Sequence, residues 1–193
     1  MAAPNKSPAT YADIEALPPH VRGEILFGVL RTQSRPAIPH AAALSGLGFM
    51  LGGPFQLGRG GPGGWIILDE PELHLGPHVV VPDVAGWKAE RLQGKLGGKW
   101  LDLAPDWICE VLSDSTRGVD KRDKMRIYAT YQVTHLWHLD PVSRILEVFR
   151  LQGKDWLLIG TYVGSDTIAV APFDSHPFTL NELWPEEAPQ PEN

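Results

Sequence analysis

The chain has 193 residues, which fits one core of about 150 residues with tails and leaves too little for a second. Its 43% hydrophobic and 21% charged residues exclude a disordered chain, and Gly 20 with Pro 18 predicts many turns and short elements. The 17 basic residues against 23 acidic ones leave a net charge of −6, which excludes coating of nucleic acid through non-specific charge but allows one local contact.

In chain order, Thr10-Tyr11-Ala12-Asp13 opens a short helix with Thr10 as N-cap, and Leu17-Pro18-Pro19 ends it. Gly23 to Gln33 reads as a hairpin turning near Gly28. His40 to Leu51 reads as a buried helix. The stretch 36–58 carries no Lys, Arg, Asp or Glu. Its continuous apolar part is far shorter than the ~20 residues of a membrane helix, so no membrane partner is expected. A glycine-rich loop spans Gly52 to Gly64, and Trp65 to Leu68 and Val79 to Val81 are strand-like, the second running into Pro82-Asp83. Residues 88–99 form a basic loop. Asp106 to Leu112 is a buried strand interrupted by Glu110, Ser113 to Thr116 supplies turn and N-cap groups, and Val119 to Tyr131 has helical spacing.

Three apolar runs follow, His135–Leu139, Ile145–Phe149 and Trp156–Ile159, with hairpin turns at Asp140-Pro141 and Gln152–Asp155. A last strand near Thr167–Val170 and a short helix at Leu180–Trp184 complete an α+β pattern with a mixed sheet. The expected organisation is a tail over 1–9, one domain over 10–184 and an acidic, proline-rich tail over 185–193. The N-terminus has no apolar signal segment, so the cytoplasm is the expected compartment. Cys109, in an apolar run, reads as a buried core residue.

Several motif matches fail on context. Gly58-Arg59-Gly60-Gly61-Pro62-Gly63 fits the dinucleotide pattern but precedes a strand where that motif needs a helix. His74 and His78 have zinc-pair spacing, yet Gly76-Pro77 between them opposes a helix. His135 and His138 are three apart in a strand and so face opposite sides.

Two acids sit where apolar sequence normally excludes them: Asp83 after Val79-Val80-Val81-Pro82, and Glu110 within Trp107-Ile108-Cys109-Glu110-Val111-Leu112. A carboxylate in such a setting is costly unless paired, protonated or bound to a cation. In the following helix Asp120, Lys124 and Tyr128 share one face at i, i+4 and i+8, and Lys124 can reach back over the end of the Glu110 strand. Lys121 lies near the same face and is the alternative. Two carboxylates with a lysine suit metal-assisted phosphodiester hydrolysis: hard oxygen ligands hold Mg²⁺ (or Mn²⁺), and the lysine orients water or steadies developing charge.

Val81-Pro82-Asp83-Val84, Glu110-Val111-Leu112-Ser113 with Ser115-Thr116, Asp120-x-x-x-Lys124-x-x-x-Tyr128 and Leu136-Trp137-His138-Leu139-Asp140-Pro141 occur in order. Together they resemble the Uma-type restriction endonucleases of the PD-(D/E)XK nuclease superfamily. The resemblance implies a restriction-endonuclease-like core, a central mixed sheet flanked by helices, and a Mg²⁺-dependent site acting on DNA. It makes Asp83 the aspartate of the PD motif, Glu110 the second acid and Glu24 an N-terminal acid joining the site. Where the superfamily lysine would stand, this chain has Leu112, and Lys124 in the following helix is the candidate replacement. Homodimers occur among such nucleases, and Trp87 and Trp100 are the tryptophans expected to be exposed. Lys88, Arg91, Lys95 and Lys99 form the expected nucleic-acid contact. Two other readings stand beside the nuclease: a catalytically silent binding or assembly module, and a hydrolase of small phosphoesters.

Overall fold

The computed structural model describes residues 7–33, 36–113 and 117–184. The turn expected at Asp114-Ser115-Thr116 and the tail 185–193 lie outside them. α1 (Tyr11–Glu15) carries the expected cap, with the Thr10 backbone N–H donating to Asp13 Oδ2 at 2.7 Å. β1 (Arg22–Leu26) and β2 (Val29–Gln33) form the expected hairpin. Phe27 and Gly28 at its tip both have positive φ, 52° and 76°, a turn whose twist matches that of the strands it joins.

α2 (Ile38–Leu51) buries His40, Ala43, Leu47 and Leu51, while Phe49 is 80% exposed. The helix is therefore buried along one stripe, not all round as its composition predicts, because it packs on only one face of the sheet. β3 (Trp65–Asp69), β4 (Leu73–Leu75), β5 (His78–Val80), β6 (Val84–Lys88) and β7 (Trp107–Val111) follow. The expected helix near 119–131 is composite: α3 (Arg117–Val119) passes through a π-helical turn, Asp120–Lys124, into α4 (Met125–Thr130). β8 (His135–Asp140), β9 (Ile145–Gln152), β10 (Asp155–Val163), β11 (Thr167–Ile168), β12 (Phe178–Thr179) and a 3₁₀ turn at Leu180–Leu183 complete the chain.

The main sheet has six strands in the order β10-β9-β8-β7-β6-β3. β7 and β8 run parallel and the other neighbours antiparallel, so the sheet is mixed. Parallel neighbours need a crossover, and α3 to α4 supply it. A second sheet, β2-β1-β5-β4, packs beside it. On one face of the main sheet α2 meets Trp107, Cys109, Val111, Trp137 and Leu139, with Phe173 inserted among the tryptophans. On the other, Ile108 and Leu136 meet Ile127 and Tyr128 of α4 and Leu26 and Val80 of the second sheet. Strand alternation thus sends Cys109 toward α2 and Glu110 toward α4.

Two expectations are corrected. Asp83 does not end a strand; it lies in the link between β5 and β6, which belong to different sheets, so it stands where the two sheets meet. Trp87 is fully buried, not exposed, because alternation puts it with Ala85 in the α4-side core, and its Nε1 donates to the Leu103 carbonyl at 3.0 Å. Trp100 is exposed as expected, at 43%. No helix among the described residues is long and apolar enough to cross a membrane.

Candidate active site

The register of the sheet gathers the acids. Val84 pairs with Cys109, which brings Asp83 opposite Glu110, and Glu110 pairs in turn with His138 of β8. Glu24 comes from β1 in the second sheet. Its Oε1 accepts the Val81 backbone N–H at 2.7 Å and its Oε2 accepts from Gln33 Nε2 at 2.7 Å, so both oxygens are fixed. The helix closes the group from above. Lys124 Nζ lies 3.1 Å from Glu24 Oε1, 3.2 Å from Glu110 Oε1 and 3.6 Å from Asp120 Oδ1, and it donates to the Val81 carbonyl at 3.2 Å. Tyr128 donates its hydroxyl to Glu110 Oε1 at 2.5 Å.

Glu24, Glu110 and Lys124 are each 1% exposed and Asp120 is 2% exposed, so these charges meet in a medium that cannot screen them. Burial, with Asp120 and Asp83 nearby, pushes the Glu110 carboxyl well above its usual range although Lys124 pulls the other way. Burial disfavours charge on Lys124, but Glu110, Glu24, Asp120 and Asp83 outweigh it, and the ammonium is held well above its ordinary pKa. Burial and Glu110 raise the Tyr128 phenol in the same way, which keeps its proton available to the carboxylate. In the π-turn the Met125 backbone N–H donates to the Asp120 carbonyl, one residue further than an α-helix allows. Such turns recur where a helix must aim side chains into a site.

His40 completes the group and was not singled out from the sequence. It stands in the first turn of α2 with Nε2 3.2 Å from Asp83 Oδ1. Asp83 Oδ2 accepts the Val111 backbone N–H at 2.7 Å, so both of its oxygens are also oriented. Burial disfavours charge on the imidazole, but its hydrogen bond to Asp83 and the charges of Asp83, Glu70 and Asp120 prevail, raising its pKa. His40 Nδ1 is buried with no hydrogen-bond partner. The only sequence signal was a histidine opening an uncharged apolar helix, which reads equally as a core residue.

The structure thus brings together Glu24, Asp83, Glu110, Asp120, Lys124 and Tyr128. Lys121, the alternative lysine, is ion-paired with Glu147 of β9 and does not join the group. Among the described residues, no three His, Cys, Asp or Glu side chains converge as a ready metal site. The loop cations are divided. Lys88 Nζ lies 4.1 Å over the Trp65 ring, and Arg91 pairs with Asp106 Oδ1 at 2.6 Å and donates to the Ala104 carbonyl at 3.1 Å. Lys95 and Lys99 project into solvent.

A mixed sheet with acids at its centre and a lysine beside them defines a protein of the restriction-endonuclease-like class. The solved structure of a "putative nuclease belonging to DUF820" from Anabaena variabilis shares this fold, with a TM-score of 0.74 at 20% identity, covering 92% of this chain and 98% of that one. The Uma2 family model, described as "Putative restriction endonuclease", matches residues 8–179, and the chain belongs to that family. No curated protein matches it.

Proposed function

We propose that this protein is a Mg²⁺-dependent nuclease that hydrolyses DNA phosphodiester bonds at the Glu24, Asp83 and Glu110 carboxylates. The observation that carries the reading is a group of four acids, Glu24, Glu110 and Asp120 buried and Asp83 partly buried, attended by one lysine. That donor set fits a hard divalent ion in kind and in charge: carboxylate oxygens are what Mg²⁺ takes, and the acids outnumber the one ammonium among them. Asp83, Glu110 and Glu24 would hold the ion, which would supply a more acidic water and offset charge on the phosphate. Mn²⁺ suits the same oxygen ligands.

The chain's own residues do the rest. His40 and the Val111 N–H hold Asp83 from two sides, and Tyr128 holds Glu110. Lys124 keeps its positive charge beside Glu110 and would offset negative charge that builds on a phosphate held by these acids. DNA as the substrate follows the family's description as a restriction endonuclease. With a net charge of −6, strand contact must be local.

A second reading, a catalytically silent binding or assembly module, is favoured by one observation. The Lys124 ammonium itself stands between Glu24 and Glu110, where a cation would otherwise sit. Plasmid cleavage separates the two. The nuclease nicks or linearises DNA with Mg²⁺, stops in EDTA, and loses activity as Asp83→Ala or Glu110→Ala while remaining folded. Full cleavage by both variants would reject the site, and activity on nucleotides but not plasmid would assign a small phosphoester instead.

A further inference from the structure

A second feature lies off the acidic group, on the basic loop. Trp100 stacks flat on His74, with ring centroids 4.2 Å apart and planes 11° from parallel. His74 is itself fixed: its Nε2 lies 2.7 Å from Glu72 Oε1, which also accepts the Tyr11 hydroxyl at 2.9 Å, and the Tyr11 ring meets His74 edge-on. The backbone beside Trp100 is pinned too. Leu101 N–H donates to the Glu72 carbonyl at 2.9 Å and His74 N–H to the Leu101 carbonyl at 2.8 Å. Trp100 is therefore a rigid aromatic ring, backed on one face and 43% exposed.

A hollow of about 140 Å³ adjoins it, lined by Pro71, Glu72, Lys95, Lys99 and Trp100 among others. Lys95 and Lys99 are the two loop cations without an ion pair or ring contact among the described residues, whereas Lys88 lies over Trp65 and Arg91 pairs with Asp106. The chain links the hollow to the segment that carries Asp83. Glu70 N–H donates to the Asp83 carbonyl at 2.9 Å, and Pro71 and Glu72, the next two residues, form the wall.

We propose that this hollow is a nucleotide subsite in which an unpaired base of the substrate strand stacks on Trp100 while neighbouring phosphates meet Lys95 and Lys99. The base must be unpaired, because a base inside a duplex has both faces covered by its neighbours. Stacking on a fixed ring and charge along the backbone are the two components of single-strand recognition, and neither reads sequence. The subsite rests on the nucleic-acid reading above but not on cleavage.

Binding of a labelled oligothymidine and of a duplex of equal length, followed by fluorescence anisotropy in EDTA over a series of salt concentrations, tests it. Trp100→Ala is expected to weaken single-strand binding about 10-fold with the salt slope unchanged, and Trp100→Phe to weaken it less. Duplex binding should not change in either variant. The double variant Lys95→Ala, Lys99→Ala should reduce the single-strand salt slope by about 1.4, two phosphate contacts at ~0.7 each. Both lysines and the ring are exposed, so the variants keep the fold, and circular dichroism confirms it. Single-strand affinity unchanged in Trp100→Ala overturns the subsite and makes Trp100 a protein contact, and wild-type protein that binds neither oligonucleotide overturns it outright. Trp100-dependent binding without Mg²⁺-dependent cleavage upholds the subsite while rejecting the nuclease.

Discussion

His40 Nε2 stands 3.2 Å from Asp83 Oδ1, which ties the first turn of α2 to the link where the two sheets meet. Because the Val111 N–H holds the other oxygen at 2.7 Å, the Asp83 carboxylate is oriented before any ion arrives. We predict that His40→Ala lowers Mn²⁺ affinity about 10–100-fold, the usual effect of losing a partner that orients a metal ligand. Calorimetric titration measures it. His40→Gln, which keeps a donor at similar reach, should recover much of the affinity; equal affinity in wild type and His40→Ala would remove His40 from the site.

Lys124 is the positive charge among four carboxylates. Replacing it with Met removes one partner from a buried network, so we predict a loss of about 3–5 kcal/mol near neutral pH in urea unfolding. The uncompensated acids then hold their protons more tightly in the folded than in the unfolded state. Stability lost by the variant should therefore return as pH falls toward the ordinary carboxylate range. Mg²⁺ should raise the melting temperature of Lys124→Met more than that of wild type, because the ion replaces the missing charge. A variant insensitive to both acid and Mg²⁺ would mean that the acids are not electrostatically joined.

Asp83 and Glu110 were legible in the sequence because each stood against an apolar run, Asp120, Lys124 and Tyr128 because helical spacing put them on one face, and Glu24 only through the family resemblance. The lysine's position followed from topology: a parallel β7–β8 pair forces a crossover helix back over the sheet. What stayed hidden depends on contacts distant in the chain. His40 becomes a site residue only when the link carrying Asp83 folds against α2. Val84-Ala85-Gly86-Trp87-Lys88 does not read as a strand, since Ala and Gly are poor strand formers. In the structure that slimness admits the flanking rings, for a Cβ on Gly86 would stand 3.1 Å from Trp107. The Arg91–Asp106 ion pair was hidden for the same reason, since its two residues lie in different segments.

Tyr128 and Glu110 give a more local test. The phenol donates to Glu110 Oε1 at 2.5 Å inside the core, where both groups are almost fully enclosed. A hydrogen bond to a charged acceptor contributes about 1.5–3 kcal/mol. We predict that Tyr128→Phe, which leaves the ring packing intact, loses that amount in urea unfolding. A loss below about 0.5 kcal/mol would show that Glu110 draws its support from Lys124 alone.

His138 lies beside Glu110 on β8, 1% exposed, with neither ring nitrogen hydrogen-bonded. Burial, reinforced by the positive charges of Lys121 and Lys124, lowers its pKa from 6.5 to about 3. The folded protein therefore keeps this imidazole neutral across the range in which the unfolded chain takes up a proton. Stability assigned to this residue is intact above pH 6.5 and falls as pH drops from 6.5 toward 3, at up to about 1.4 kcal/mol per pH unit. We predict that His138→Asn, which cannot titrate, loses less stability than wild type between pH 7 and pH 4.5. Relative to wild type, His138→Asn and Lys124→Met both gain on acidification, and Mg²⁺ separates them, because only Lys124→Met is predicted to respond to the ion. A wild-type minus variant difference that stays constant with pH would place a proton on His138 in the folded state, and with it a partner that its two bare nitrogens do not show.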